Sequence, residues 1–154
     1  TTAAAATAGS HPGCASAADP GEIATLDGGA FGGAWQRTGR QFGVYAGAAD
    51  GASPVCRFFS TSFAPKSSHF YTALTNECEL VKQNPIWQYE GLVFLIVLPD
   101  AGGNCPIGRK LYRLYNSGLT GAPNHRYTGS LVIRQQMIDQ GFTPEDGAEW
   151  CVHD

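Results

Sequence analysis

The chain has 154 residues, a formal net charge of −3, only ten Lys plus Arg, 15% charged residues and 20 glycines. That length suits one domain with a core of its own, and so few cations argue against a nucleic-acid or anionic-membrane partner. The longest apolar run, Leu92 to Leu98, falls far short of the roughly 18 residues of a membrane-spanning helix and fits a strand.

Residues 1–20 are mostly Ala, Thr, Gly, Ser and Pro, with no charge before Asp19. They have no apolar face to bury and read as a flexible linker joining modules. No signal peptide is recognisable, so the chain reads as mature, as part of something longer, or as cytosolic. Residues 21–154 read as a single repeat domain. Glu22 to Leu26 predicts a helical turn ended by Gly28-Gly29, and Ala34 to Gly39 and Gln41 to Tyr45 predict two short strands. Trp35, Gly39, Phe42 and Val44 stand 52 residues before Trp87, Gly91, Phe94 and Ile96, so residues 28–48 form half a repeat.

The first full repeat, 54–98, predicts a strand at Val55–Ser60, a loop at Thr61–Lys66 and a strand at His69–Ala73. A helix follows at Asn76–Gln83, capped by Thr75 and stopped by Asn84-Pro85. Strands Ile86–Tyr89 and Leu92–Leu98 flank Gly91, and the latter, apolar on both faces, belongs at the centre of a sheet. Pro99 to Pro106 links the repeats. The second repeat, 110–153, predicts strands at Lys110–Asn116 and His125–Thr128. A helix at Leu131–Gln140 follows, capped by Ser130 and stopped by Gly141, with Leu131, Arg134, Gln135 and Ile138 along one side and Met137 adding to its apolar part. Strands Phe142–Thr143 and Ala148–Val152 end it. Cys56-Arg57-Phe58-Phe59 returns as Tyr112-Arg113-Leu114-Tyr115, and Ser68-His69-Phe70-Tyr71-Thr72 as Asn124-His125-Arg126-Tyr127-Thr128, both 56 residues later. Trp87-Gln88-Tyr89-Glu90-Gly91 returns as Phe142 to Gly147, with one residue extra. The expected fold is α+β, β-dominated, with two and a half internal β-β-α-β-β repeats forming one pseudosymmetric domain.

The five cysteines contain no C-x-x-C pair, which argues against a zinc ribbon or a thioredoxin-like site. Two disulfides and one leftover thiol fit better, and imply an oxidising compartment and a secreted protein; five reduced buried thiols are the alternative. Spacing alone selects no connectivity. The favoured pairs are Cys56 with Cys78, strand to helix, and Cys105 with Cys151, connector to last strand. Cys14 is then left over and available to bridge a dimer.

The pattern Tyr-Arg-x-Tyr-Asn, Asn-His-x-Tyr-Thr, helix, Trp-x-x-Glu-Gly resembles a secreted repeat family of bacteria and fungi catalogued as being of unknown function. Tyr112 to Asn116 and Asn124 to Thr128 carry the resemblance most specifically, and it covers Gly28 to Asp154. Members stand mostly as terminal modules beside hydrolases and other exported enzymes, which implies an accessory role attached to a parent enzyme.

Arg57 with Glu90 and Arg113 with Glu145 recur and read as one Arg–carboxylate pair per repeat. His69 and His125 recur too. Neither has a second ligand at metal spacing, so each reads as bonded within its own repeat, with no metal and no cofactor. Trp35 and Trp87 read as core. No nucleophile elbow, zinc-protease helix or phosphate loop is present, so the chain reads as no enzyme. Aromatic rings stacked on sugar faces, beside planar side chains bonding hydroxyls, are what a glycan site needs. Tyr115, Asn116, Asn124, His125 and Arg126, with Phe59, Ser68 and His69 as counterparts, are the candidate ligand-binding residues. The expected function is non-catalytic binding of a polysaccharide or cell-wall glycan. A hydrophobic polyester surface, or a protein-interaction or spacer role, is the alternative.

Overall fold

The computed structural model describes residues 14–15, 24, 28–29, 42–64, 66–119 and 121–153. Trp35, the expected strand at Ala34–Gly39 and most of residues 1–20 lie outside the described residues. Where the linker was expected, Cys14–Ala15 forms a short strand, β1. Ala24 is helical, and its carbonyl accepts from Gly28 N at 2.9 Å.

Further strands are β2 (Val44–Tyr45), β3 (Ala52–Phe63), β4 (Lys66–Thr72), β5 (Gln88–Val97), β6 (Arg109–Tyr115), β7 (His125–Thr128), β8 (Thr143–Pro144) and β9 (Trp150–Val152). Two short helices, α1 (Thr75–Lys82) and α2 (Leu131–Asp139), follow β4 and β7. The strands form one antiparallel sheet along the path β1-β2-β5-β9-β6-β7, with β3 and β4 branching from β5 and β8 from β6. The fold is β-dominated.

The two long hairpins pair in the same register. Arg57 faces Tyr71 and Phe59 faces His69 across β3–β4, while Arg113 faces Tyr127 and Tyr115 faces His125 across β6–β7. β5 is central, as its doubly apolar sequence predicts, and pairs with β2, β3 and β9. It departs from expectation in running through Gly91 as one strand. Gly91 adopts φ +114, open to glycine and strained for other residues, and the β3–β5 register shifts on either side of it. A bulge thus absorbs what reads locally as a break.

β2, β5 and β9 also close on one another. Tyr45 pairs with Leu95, Val97 with Cys151, and Gly43 bridges to His153. Val44, Ile96 and Val152, one from each strand, are all 0% exposed in the main core beside Val55, Phe94, Leu111 and Trp150. A second cluster under α1 holds Phe58, Phe70 and the cysteines 56 and 78.

Both expected disulfides form, Cys56–Cys78 and Cys105–Cys151. Ser130 caps α2, its Oγ accepting from Ile133 N at 3.3 Å, and Gly141 follows at φ +91. Three expectations are corrected. Thr75 lies inside α1, whose N-cap is Leu74 without a side-chain bond; Thr72 Oγ1 accepts from Leu74 N instead. The loop expected at Thr61–Lys66 shrinks to a tight turn, because ladder pairing continues to Phe63 and Lys66. Along α2, Met137 is buried as expected of the apolar side, but Leu131, expected beside it, is exposed.

The disulfides close separations of 22 and 46 residues, so loop entropy ranks them. Replacing Cys105 and Cys151 by Ala is expected to cost about 4 kcal/mol and replacing Cys56 and Cys78 about 3 kcal/mol. Urea unfolding of the two double variants checks the order.

Candidate functional site

Two constellations of the same make-up stand on the two hairpins. On β6, the Arg113 side chain is 3% exposed, too deep for a guanidinium without partners. Its Nη1 and Nη2 donate to the two carboxylate oxygens of Glu77 on α1, each at 2.8 Å. Nη1 also reaches the Tyr71 carbonyl at 3.4 Å, to which Tyr127 OH donates at 3.0 Å. Arg113 Nε lies 2.8 Å and His125 Nε2 3.2 Å from Glu145 Oε2. Neither approach has hydrogen-bond alignment, so charge holds that carboxylate oxygen. Tyr115 stacks on His125 at 4.8 Å, and Phe70 of β4 packs on it at 4.7 Å.

Burial works most strongly against the charge on Arg113, but the Glu77 fork together with Tyr127 and Glu145 outweighs it and carries its pKa above the ordinary arginine range. Burial pushes the Tyr127 hydroxyl well above the usual phenol range, which keeps it a donor to Tyr71. Burial opposes ionisation of Glu145, yet His125 and Arg113 together hold its carboxyl below the usual range.

On β3 the arginine and histidine of the same set lie nearer water. Arg57 Nε donates to Glu90 Oε2 at 2.7 Å, and His69 Nε2 is 3.5 Å from the same oxygen. The Arg57, Glu90 and His69 side chains are 27%, 23% and 35% exposed. Phe59 lies against His69 with ring centroids 4.6 Å apart.

Residues 30–153 match a family described as a domain of unknown function, DUF5648. The chain belongs to this family. No curated protein and no solved structure matches it.

In this DUF5648 domain the expected ligand-binding residues separate. Phe59 joins His69, and Tyr115 joins His125, as cross-strand pairs on one face of each hairpin. Arg126 pairs with Leu114, so strand alternation puts it on the face opposite Tyr115; its guanidinium lies 5.4 Å from the Phe142 ring. Asn116, a candidate ligand-binding residue that would have to meet solvent, is 2% exposed. Its Nδ2 donates to Ala122 O, and its Oδ1 accepts from Gly118 N and Asn124 N, so it closes the loop after β6. Ser68 is buried and donates to Pro123 O at 2.6 Å. Asn124 is half-buried, its backbone bonded both ways to Asn116. The expected Arg–Glu pairs both form, and each histidine contacts the glutamate of its own pair. Trp87 packs half-buried against the cluster under α1.

Sequence reasoning missed Glu77. An acidic residue in a first helical turn suits the helix dipole wherever it occurs, and nothing local ties it to an arginine 36 residues away. Among the described residues no group of three His, Cys, Asp or Glu is placed to hold a metal ion.

Arg113→Ala strands two carboxylates and is expected to cost about 3–5 kcal/mol, against less than about 1 kcal/mol for the half-exposed Arg57→Ala. Guanidinium denaturation of both variants checks this. The Glu145 pKa is depressed on folding. Its contribution is therefore fully present above the unfolded carboxyl value of about 4.3 and lost as pH falls through the lower folded value. Denaturation between neutral pH and acid is expected to show a shallower acid decline in Glu145→Gln than in the parent.

Proposed function

We propose that this domain is a non-catalytic binding module for a polymeric glycan, with its site on the β3–β4 hairpin. One observation carries the reading. The Arg–Glu–His–aromatic set occurs twice; its glutamate side chains are similarly exposed, but the arginine and histidine are 27% and 35% exposed in the β3–β4 set against 3% and 11% in the β6–β7 set. On β6–β7 the buried arginine links Glu77, the Tyr71 carbonyl and the turn at Glu145. On β3–β4, Phe59 and His69 offer an aromatic pair in tilted contact beside a guanidinium and a carboxylate. That combination suits a sugar ring, with an apolar face to stack on and both donors and acceptors for hydroxyls.

In this reading the hairpins are diverged copies in a pseudosymmetric array, supported by their equal registers 56 residues apart. One copy has become packing and the other remains at the surface. The domain acts as an accessory module of a secreted enzyme. Two disulfides, and no helix long and apolar enough to cross a membrane among the described residues, are compatible with export.

Pull-down on insoluble chitin, cellulose, peptidoglycan and polyhydroxyalkanoate tests the proposal. Retention is expected on one glycan, weakened about tenfold by Phe59→Ala, weakened also by Glu90→Gln, and unchanged by Arg126→Ala. Retention on polyhydroxyalkanoate alone would move the reading to a hydrophobic polymer. Retention on none would leave a protein-interaction or spacer role.

A further inference from the structure

A groove of about 220 Å³ lies on the sheet face opposite Phe59 and His69. Cys56 and Cys78, joined as a disulfide, lie at its floor. α1 forms one wall with Glu79 and Lys82, and β5 the other with Tyr89 and Leu92, the latter 60% exposed. Lys82 Nζ bonds Glu79 Oε1 at 2.7 Å and lies 4.6 Å over the Tyr89 ring, spanning one end. The Glu79 side chain is 59% exposed, which leaves its carboxylate room for a further donor.

The second half of the chain shows what fits such a place. Fifty-six residues after Cys56 and Cys78 stand Tyr112 and Arg134. The strand positions correspond, since Cys56 pairs with Thr72 and Tyr112 with Thr128. Both helices begin three residues after those threonines. There the Arg134 guanidinium sits 5.3 Å from the Tyr112 ring and its Nη2 bonds Asp146 at 3.0 Å. A phenol ring, a guanidinium and a carboxylate thus join helix to strand within the chain. In the first half two cysteines replace the two large side chains. The space beside them is open, with Leu92 as an apolar wall and the Glu79 carboxylate of α1 at hand, although Glu79 stands at the position of Gln135 rather than of Asp146.

We propose that this groove binds, from a partner protein, an exposed tyrosine with an arginine beside it. The ring lies against Leu92 and the disulfide, burying apolar surface on both sides, while the guanidinium pairs with Glu79. The partner's side chains take the places that Tyr112 and Arg134 hold within this chain. The site lies on the other face of the sheet from the proposed glycan site, so either can fail alone.

Titration of the whole ¹⁵N-labelled chain with acetyl-Tyr-Gly-Arg-amide tests this by NMR. In that peptide the two side chains lie on one side of an extended backbone. Saturable shifts are expected at Thr75, Glu79, Lys82 and Leu92 at millimolar peptide. Binding is expected to weaken about tenfold for acetyl-Ala-Gly-Arg-amide and about threefold in Glu79→Gln. It is expected to vanish in Leu92→Lys, a surface change that leaves the remaining spectrum in place. Absence of saturable shifts, equal affinity for the Ala peptide, or unchanged binding in Leu92→Lys would each overturn the proposal.

Discussion

The buried guanidinium of Arg113 is the constraint on which the arrangement of the two hairpins depends. A cation this far from water is tolerable only when its donors meet acceptors and its charge meets carboxylates. Glu77 supplies the fork from α1, the Tyr71 carbonyl lies within reach of Nη1, and Glu145 supplies charge on the side of Nε. These groups come from the helix and edge strand of one half of the chain and from the last turn of the other. Satisfying one side chain therefore fixes three elements at once. It also helps cover the outer edge of β4, where Tyr71 would otherwise present an open carbonyl to another strand. Tyr127 OH and the Ser68–Pro123 bond reinforce the same junction.

Arg57 shows how far environment alone changes the role of a residue set. Like Arg113 it faces a tyrosine across the strand pair and has a glutamate at its Nε. Its pair is solvated enough for water to screen the attraction, so its worth to stability is small. In the β6–β7 set the arginine is shut off from water and carries structural weight; in the β3–β4 set the arginine and histidine stay part-exposed.

The second difference between the halves is how helix is tied to strand. Cys56 and Cys78 make a covalent link in the first half; Tyr112 and Arg134, extended to Asp146, make a stacked and charged one in the second. Both hold a short helix that isolated propensity would not keep folded. The disulfide does so with far less side-chain volume, which is why a groove lies beside α1. Beneath both, Val44, Ile96 and Val152 meet where β2, β5 and β9 close on one another.

Much of this was legible in the chain itself. The hairpin strands, the Ser130 cap, the central β5 and both Arg–Glu pairs follow from local pattern or from the 56-residue recurrence; both favoured disulfides form, though spacing alone selected neither. The separation of Arg126 from Tyr115 was also within reach, since neighbours on a strand alternate faces. Depth was not legible. Nothing near Asn116 or Ser68 says that their polar groups are spent on a loop and on Pro123. Nothing near Arg57 or Arg113 says which is solvated, because that depends on what packs over each strand. Sequence determined which side chains pair within a hairpin, through backbone periodicity and recurrence. Only the tertiary structure decided which pairs are buried and which meet water, because burial is a property of the neighbours that long-range packing brings.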